Sequence, residues 1–64
     1  MPLPHHVWEI TVEVDNGDWH YCRTPPMPFA FAVRAAILYE ETFAEKGGHL
    51  VSIVNVDPRG EPHT

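Results

Sequence analysis

Seven consecutive residues, Trp8-Glu9-Ile10-Thr11-Val12-Glu13-Val14, alternate apolar and polar without a break and run into Asp15-Asn16-Gly17-Asp18. Period-2 alternation marks a strand with one buried and one wet face. Asn-Gly between two such runs signals a hairpin, because both central residues of a type I′ turn take φ > 0. With Asn16-Gly17 as a two-residue loop, Asp15 pairs with Asp18, Val14 with Trp19, Glu13 with His20, Val12 with Tyr21 and Thr11 with Cys22. Val12, Val14, Trp19 and Tyr21 then share the core side, and Glu9, Thr11, Glu13, His20 and Cys22 the open side. A slip of one residue exchanges the faces.

The first strand is expected over Val7 to Val14, preceded by a proline-containing tail, Met1 to His6, that is loose or extended. Thr24-Pro25-Pro26-Met27-Pro28 reads as a stiff connector that ends strand 2, since proline supplies no N–H to a ladder. A helix follows from Phe29 to Lys46 and stops at Gly47-Gly48. At ~100° per residue, Ala32, Ala36, Tyr39 and Phe43 form its core stripe, with Phe29, Val33 and Ala35 beside it. Arg34, Glu41 and Glu45 lie opposite, while Phe31 and Leu38 fall outside the stripe and Ile37 on its boundary. His49 to Val56 is dense in β-branched residues and reads as strand 3, closed by the turn residues Asp57-Pro58-Arg59-Gly60. The expected fold is α+β: ββαβ, a three-stranded antiparallel sheet in the order 2-1-3 with one helix on one face. All 64 residues form one domain, with flexible tails at 1–6 and 60–64.

Charge narrows the function classes. Nine acidic residues face four basic ones, Arg23, Arg34, Lys46 and Arg59, for a formal net charge of −5. Direct nucleic-acid binding is not expected, because phosphate neutralisation needs a stripe of Lys and Arg. An acidic surface favours a basic partner instead. No apolar run approaches the ~20 residues of a membrane span, and Met1-Pro2-Leu3-Pro4-His5-His6 lacks the features of a secretion signal, so a cytoplasmic location is expected. The single cysteine, Cys22, excludes an internal disulfide.

Site chemistry finds little footing. Five histidines and one cysteine lack the paired spacing of a structural zinc site, leaving His20 and Cys22, with Thr11 and Glu13 across from them, as a weak group. A Cys-His nucleophile needs a pocket and an orienting group, which a flat three-stranded sheet does not provide. The expectation is no enzyme, no cofactor and no metal. Trp8 is placed at the core end beneath the helix, and Trp19, beside the turn, suits a half-exposed interface anchor. The partner-binding residues expected from charge and exposure are Glu9, Glu13, Asp15, Asp18, Trp19, Glu40, Glu41 and Glu45. Glu40 sits close to the apolar stripe, where it reaches the stripe's edge, pairs with a partner's cation or rotates the helix. Exposed Phe31, Ile37 and Leu38, with the free sheet edges, also admit a homo-oligomeric structural or accessory module.

In order, size and charge the chain resembles small bacteriophage proteins that disable host machinery. Trp8 to Val14 and Val51-Ser52-Ile53-Val54-Asn55-Val56-Asp57-Pro58 are the stretches similar to the short phage inhibitor of bacterial RNA polymerase, whose strand-turn-strand-helix-strand order matches across Val7 to Pro58. The anti-CRISPR proteins, tiny and often acidic, form the second similar group. The resemblance implies an inhibitor that sets its acidic residues against a basic surface of a host complex, a Cas effector first and RNA polymerase second, some such proteins acting as nucleic-acid mimics. A monomer is expected over a homodimer. The resemblance assigns no residue a role.

Overall fold

The computed structural model describes residues 4–56. Its elements are β1 (Trp8–Glu13), β2 (Trp19–Arg23), α1 (Phe29–Glu41), a single 3₁₀ turn (Ala44–Lys46) and β3 (His49–Asn55). The three strands form one antiparallel sheet in the order β2-β1-β3, with α1 packed on one face, so the α+β, ββαβ reading holds. The C-terminal turn at residues 57–60 and the tail at 60–64 lie outside the described residues, as do residues 1–3. The other part of the N-terminal tail is tied down at its end: His6 and Met27 exchange two backbone hydrogen bonds of 3.0 and 2.9 Å.

Hairpin register departs from the two-residue turn by one position. Glu13 faces Trp19, Val12 faces His20, Thr11 faces Tyr21, Ile10 faces Cys22 and Glu9 faces Arg23. The loop is therefore Asp15-Asn16-Gly17, closed by Val14 N–H donating to the Asp18 carbonyl at 3.0 Å. Within this loop Gly17 alone takes the left-handed conformation (φ 91°), and among the described residues no non-glycine has positive φ. Asn16 is thus barred from its type I′ role, and the turn is the three-residue kind in which a glycine follows a type I turn. Its side chain fixes the choice locally: Asn16 Oδ1 accepts from Asp18 N–H at 2.9 Å, an Asx-type bond.

The slip exchanges the faces of β2, as the period-2 rule demands. Trp19 and Tyr21, expected in the core, lie on the open side, and His20 and Cys22 lie on the helix side of the sheet. Packing explains the preference. His20 stacks on Phe43 at 4.6 Å between ring centroids, and Phe43 meets Tyr39 edge-on at 5.2 Å. With those two rings already over this side of the sheet, a flat imidazole and a small thiol fit where two more large aromatics would overpack.

The core itself is small: Ile10, Val12 and Val14 from the first strand and its extension, and Ala32 and Ala36 from the helix. The two alanines let the helix backbone sit close to the sheet, and they head the stripe expected from the 3.6-residue period. Phe31 and Leu38 are exposed as that period requires. Trp8 closes the far end, its ring 5.3 Å from Phe29 and its Nε1 donating to the Met27 carbonyl at 2.8 Å. The connector does not simply end the ladder. Thr24 N–H still donates to the Trp8 carbonyl at 2.9 Å, and Met27 rejoins through His6 past the two prolines.

The helix stops at Glu41, short of Lys46. Thr42 turns its hydroxyl back onto the Tyr39 carbonyl at 2.6 Å, and Phe43 N–H bonds Glu40, three residues back, at 3.0 Å. Such back-bonding by a β-branched hydroxyl tightens the last turn toward 3₁₀ geometry. Gly47 then caps the short turn in the left-handed conformation (φ 72°). The Lys46 carbonyl accepts from Asp15 N–H at 2.9 Å, which joins the end of the helical segment to the hairpin loop.

Candidate protein-binding surface

The open face of the sheet carries three cross-strand rows: Arg23–Glu9–Val54, Tyr21–Thr11–Ser52 and Trp19–Glu13–His49. Trp19 is 50% exposed and Tyr21 59%, two large rings two residues apart on one strand. Buried Thr11 is the floor between Tyr21 and Ser52. The carboxylates have neighbours of their own: Glu9 Oε2 lies 3.4 Å from Arg23 Nε, and Glu13 Oε1 lies 3.6 Å from His49 Nε2, an ion pair whenever that ring is protonated. Both pairs are largely solvated and add little to stability.

Of the residues expected to bind a partner, Glu9, Glu13 and Trp19 come together on this face. Asp15 and Asp18 sit at the hairpin tip, where Asn16 Nδ2 donates to Asp18 Oδ2 at 3.1 Å and Asp15 abuts Gly47. Glu41 and Glu45 are exposed on the helical segment, apart from the sheet rows. Glu40 has an internal task. Its Oε2 accepts from Leu50 N–H at 2.7 Å, beside the irregularity between Thr11 and Val12 where β3 carries Val51 as an extra residue. A carboxylate here satisfies a backbone donor that the bulge withdraws from the ladder. The expected acidic set is thus dispersed over sheet, tip and helix.

Tyr21 was missed on sequence grounds because the two-residue turn buries it. The signal lay in the loop composition: a glycine third in Asp-Asn-Gly satisfies the left-handed position of a three-residue loop as well as the second position of a type I′ turn.

The weak His20–Cys22–Glu13 group is dismantled by the same slip, since Glu13 faces away from the other two. Among the described residues, no three His, Cys, Asp or Glu side chains converge to hold a metal ion. Burial raises the Cys22 thiol above its ordinary value, and burial followed by the field of Cys22 raises the Tyr39 hydroxyl. A thiol shifted upward is a poorer nucleophile at neutral pH. Because the folded state favours the protonated thiol, its contribution is full below the unfolded value and is lost as pH rises through the folded one. Cys22 should therefore react with iodoacetamide more slowly in the native protein than after denaturation, and melting temperature should fall above the ordinary thiol value of 9.0. A Cys22→Ser variant should flatten that alkaline loss; an identical pH profile in the variant contradicts it.

No helix of the described residues is long and apolar enough to cross a membrane. No protein-family model, no curated protein and no solved structure matches the chain.

Proposed function

We propose that this chain is a small protein-binding inhibitor that docks through the open sheet face onto a basic surface of a host nucleic-acid-processing complex. The observation that carries the reading is the pair of half-exposed rings, Trp19 and Tyr21, set in rows with Glu13 and Thr11, with Glu9 in the next row on the same face. Trp, Tyr and Arg are the side chains that most often anchor interfaces, and a ring face beside a carboxylate suits a lysine or arginine of the partner. The net charge of −5 steers such a partner from a distance. In this reading the rings supply affinity and the carboxylates supply rate and orientation. It takes the weight off pure electrostatic mimicry, because Glu9 already has Arg23 beside it.

On the resemblance to small phage inhibitors in size, element order and charge, the partner proposed first is a Cas effector and second bacterial RNA polymerase. The function requires no reaction at the site. Binding to purified Cas effectors and to the polymerase, measured by calorimetry, tests the reading. Trp19→Ala with Tyr21→Ala should weaken binding on the order of 100-fold. Neutralising Glu9, Glu13 and Asp15 together should weaken it chiefly at low salt and flatten its salt dependence. Affinity unmoved by loss of both rings rejects the sheet face as the docking site.

A further inference from the structure

We infer that the hairpin loop is a self-modification site: Asn16 deamidates through the backbone nitrogen of Gly17, and the isoaspartyl product resets the loop that registers Trp19 and Tyr21. The inference stands apart from the partner reading, because the reaction consumes only water and involves no second macromolecule.

Asn16 and Asn55 are the two asparagines of the chain, which holds no glutamine, so released ammonia reports on these two alone. In an Asn-Gly pair the nitrogen that follows the asparagine is unshielded, since glycine has no Cβ. The fold leaves that advantage intact. Residues 15–19 are all exposed, and nothing lies within 4 Å of a Cβ added at Gly17, so water and base reach the peptide group between Asn16 and Gly17. The Asx-type bond from Asp18 N–H to Asn16 Oδ1, 2.9 Å long, curls the side chain back over that same peptide group. The leaving nitrogen, Asn16 Nδ2, donates to Asp18 Oδ2 at 3.1 Å, outside the turn.

One contact opposes the reaction. Gly17 N–H donates to the Val14 carbonyl at 2.9 Å, so the nitrogen is freed only when the turn opens. Asn55 has none of these openings. It lies in β3 across from Trp8, and the nitrogen after it belongs to β-branched Val56, whose N–H donates to the Val7 carbonyl at 2.9 Å.

The step balances without an oxidant or reductant. Base takes the Gly17 amide proton, the nitrogen bonds to Asn16 Cγ, and the Cγ–Nδ2 bond breaks, Nδ2 leaving as ammonia with a proton from water. Water then opens the cyclic imide. Cleavage at Cγ gives aspartate on an unaltered main chain, whereas cleavage at the Asn16 backbone carbonyl routes the main chain through Cγ and gives an isoaspartyl residue. Aspartate keeps an acceptor for Asp18 N–H. The isoaspartyl link adds a backbone carbon between Val14 and Asp18 and turns the side-chain acceptor into a peptide carbonyl. The closure that sets Trp19 and Tyr21 on the open face is then lost.

Ageing of the full chain in mildly alkaline buffer tests this, read by peptide mass spectrometry, isoaspartyl-methyltransferase labelling and ammonia release. Expected are aspartyl and isoaspartyl products at position 16, an unconverted Asn55, and a native rate below that in urea, where the bond to Val14 is gone. Gly17→Ala should slow the conversion at least about tenfold by displacing the attacking nitrogen. The same comparison in urea covers the case in which that variant fails to fold. Side-chain resonances of Trp19 and Tyr21 should shift in the isolated isoaspartyl form and stay in place in Asn16→Asp, which keeps the normal main chain. Asn16 left intact in the folded chain, Asn55 converting at the same pace, or ring resonances unmoved in the isoaspartyl form overturns the assignment.

Discussion

Ile10→Ala is expected to leave the domain mostly unfolded at room temperature, seen as collapse of amide-proton dispersion and loss of a cooperative melt. Ile10 and Val12 are the only large side chains fully buried among the described residues, and both come from the central strand. Truncating a buried isoleucine costs about 2–5 kcal/mol through lost transfer energy and a residual cavity. A single core in a chain of this size supplies about 3–5 kcal/mol of net stability, so one truncation consumes most of it. Leu38→Ala is the matched control, since that side chain is 60% exposed and should shift stability by roughly 0.5 kcal/mol or less. A cooperative Ile10→Ala melt within a few degrees of the parent would mean that the fold does not hang on this strand.

The second large effect is expected at Gly47. Its φ of 72° is a conformation that an L side chain enters at a cost of roughly 1–2 kcal/mol, and an added Cβ would run into the Asp15 carboxylate. The same substitution also disturbs the Asp15 N–H to Lys46 carbonyl bond that joins loop to helical segment. Gly47→Ala should therefore cost about 2–3 kcal/mol in urea unfolding. Gly17 gives the contrast: its φ is 91° but nothing lies within 4 Å of an added Cβ, so Gly17→Ala should cost only about 1 kcal/mol. Removing the carboxylate with Asp15→Ala should recover part of the Gly47→Ala loss and none of the Gly17→Ala loss. Equal losses at both glycines would show that backbone strain alone governs them.

Most of the architecture was legible in the residues. The 3.6-residue spacing of Ala32 and Ala36, the alternation in β1 and the β-branched run at the C-terminal end led to the elements and to their 2-1-3 order. Two features escaped. The end of α1 depends on a hydroxyl bending back to a carbonyl, which propensity does not register for a run as helix-rich as Phe29 to Lys46. Register depends on whether Asn16 or only Gly17 takes positive φ, a choice worth little in isolation and decided by the rings of Tyr39, from the last turns of the distant helix, and Phe43, just past its end. The candidate surface inherited that error. Trp19 and Tyr21 lie on the open face together, and Glu40, expected at the edge of the apolar stripe or against a partner's cation, accepts from Leu50 N–H beside the β3 bulge.

The loop Asp15-Asn16-Gly17 has a consequence for how such a protein changes over generations. At constant length, a change to the two-residue Asn16-Gly17 turn would pair Asp15 with Asp18 and carry Trp19 and Tyr21 to the helix side of the sheet and His20 and Cys22 into water without altering any residue of β2. Substitutions in β2 can only adjust the recognition surface one side chain at a time. A substitution that lets residue 16 take positive φ together with Gly17 would replace it wholesale, so change at these turn positions, more than drift in the strand, is what would retarget or silence the molecule.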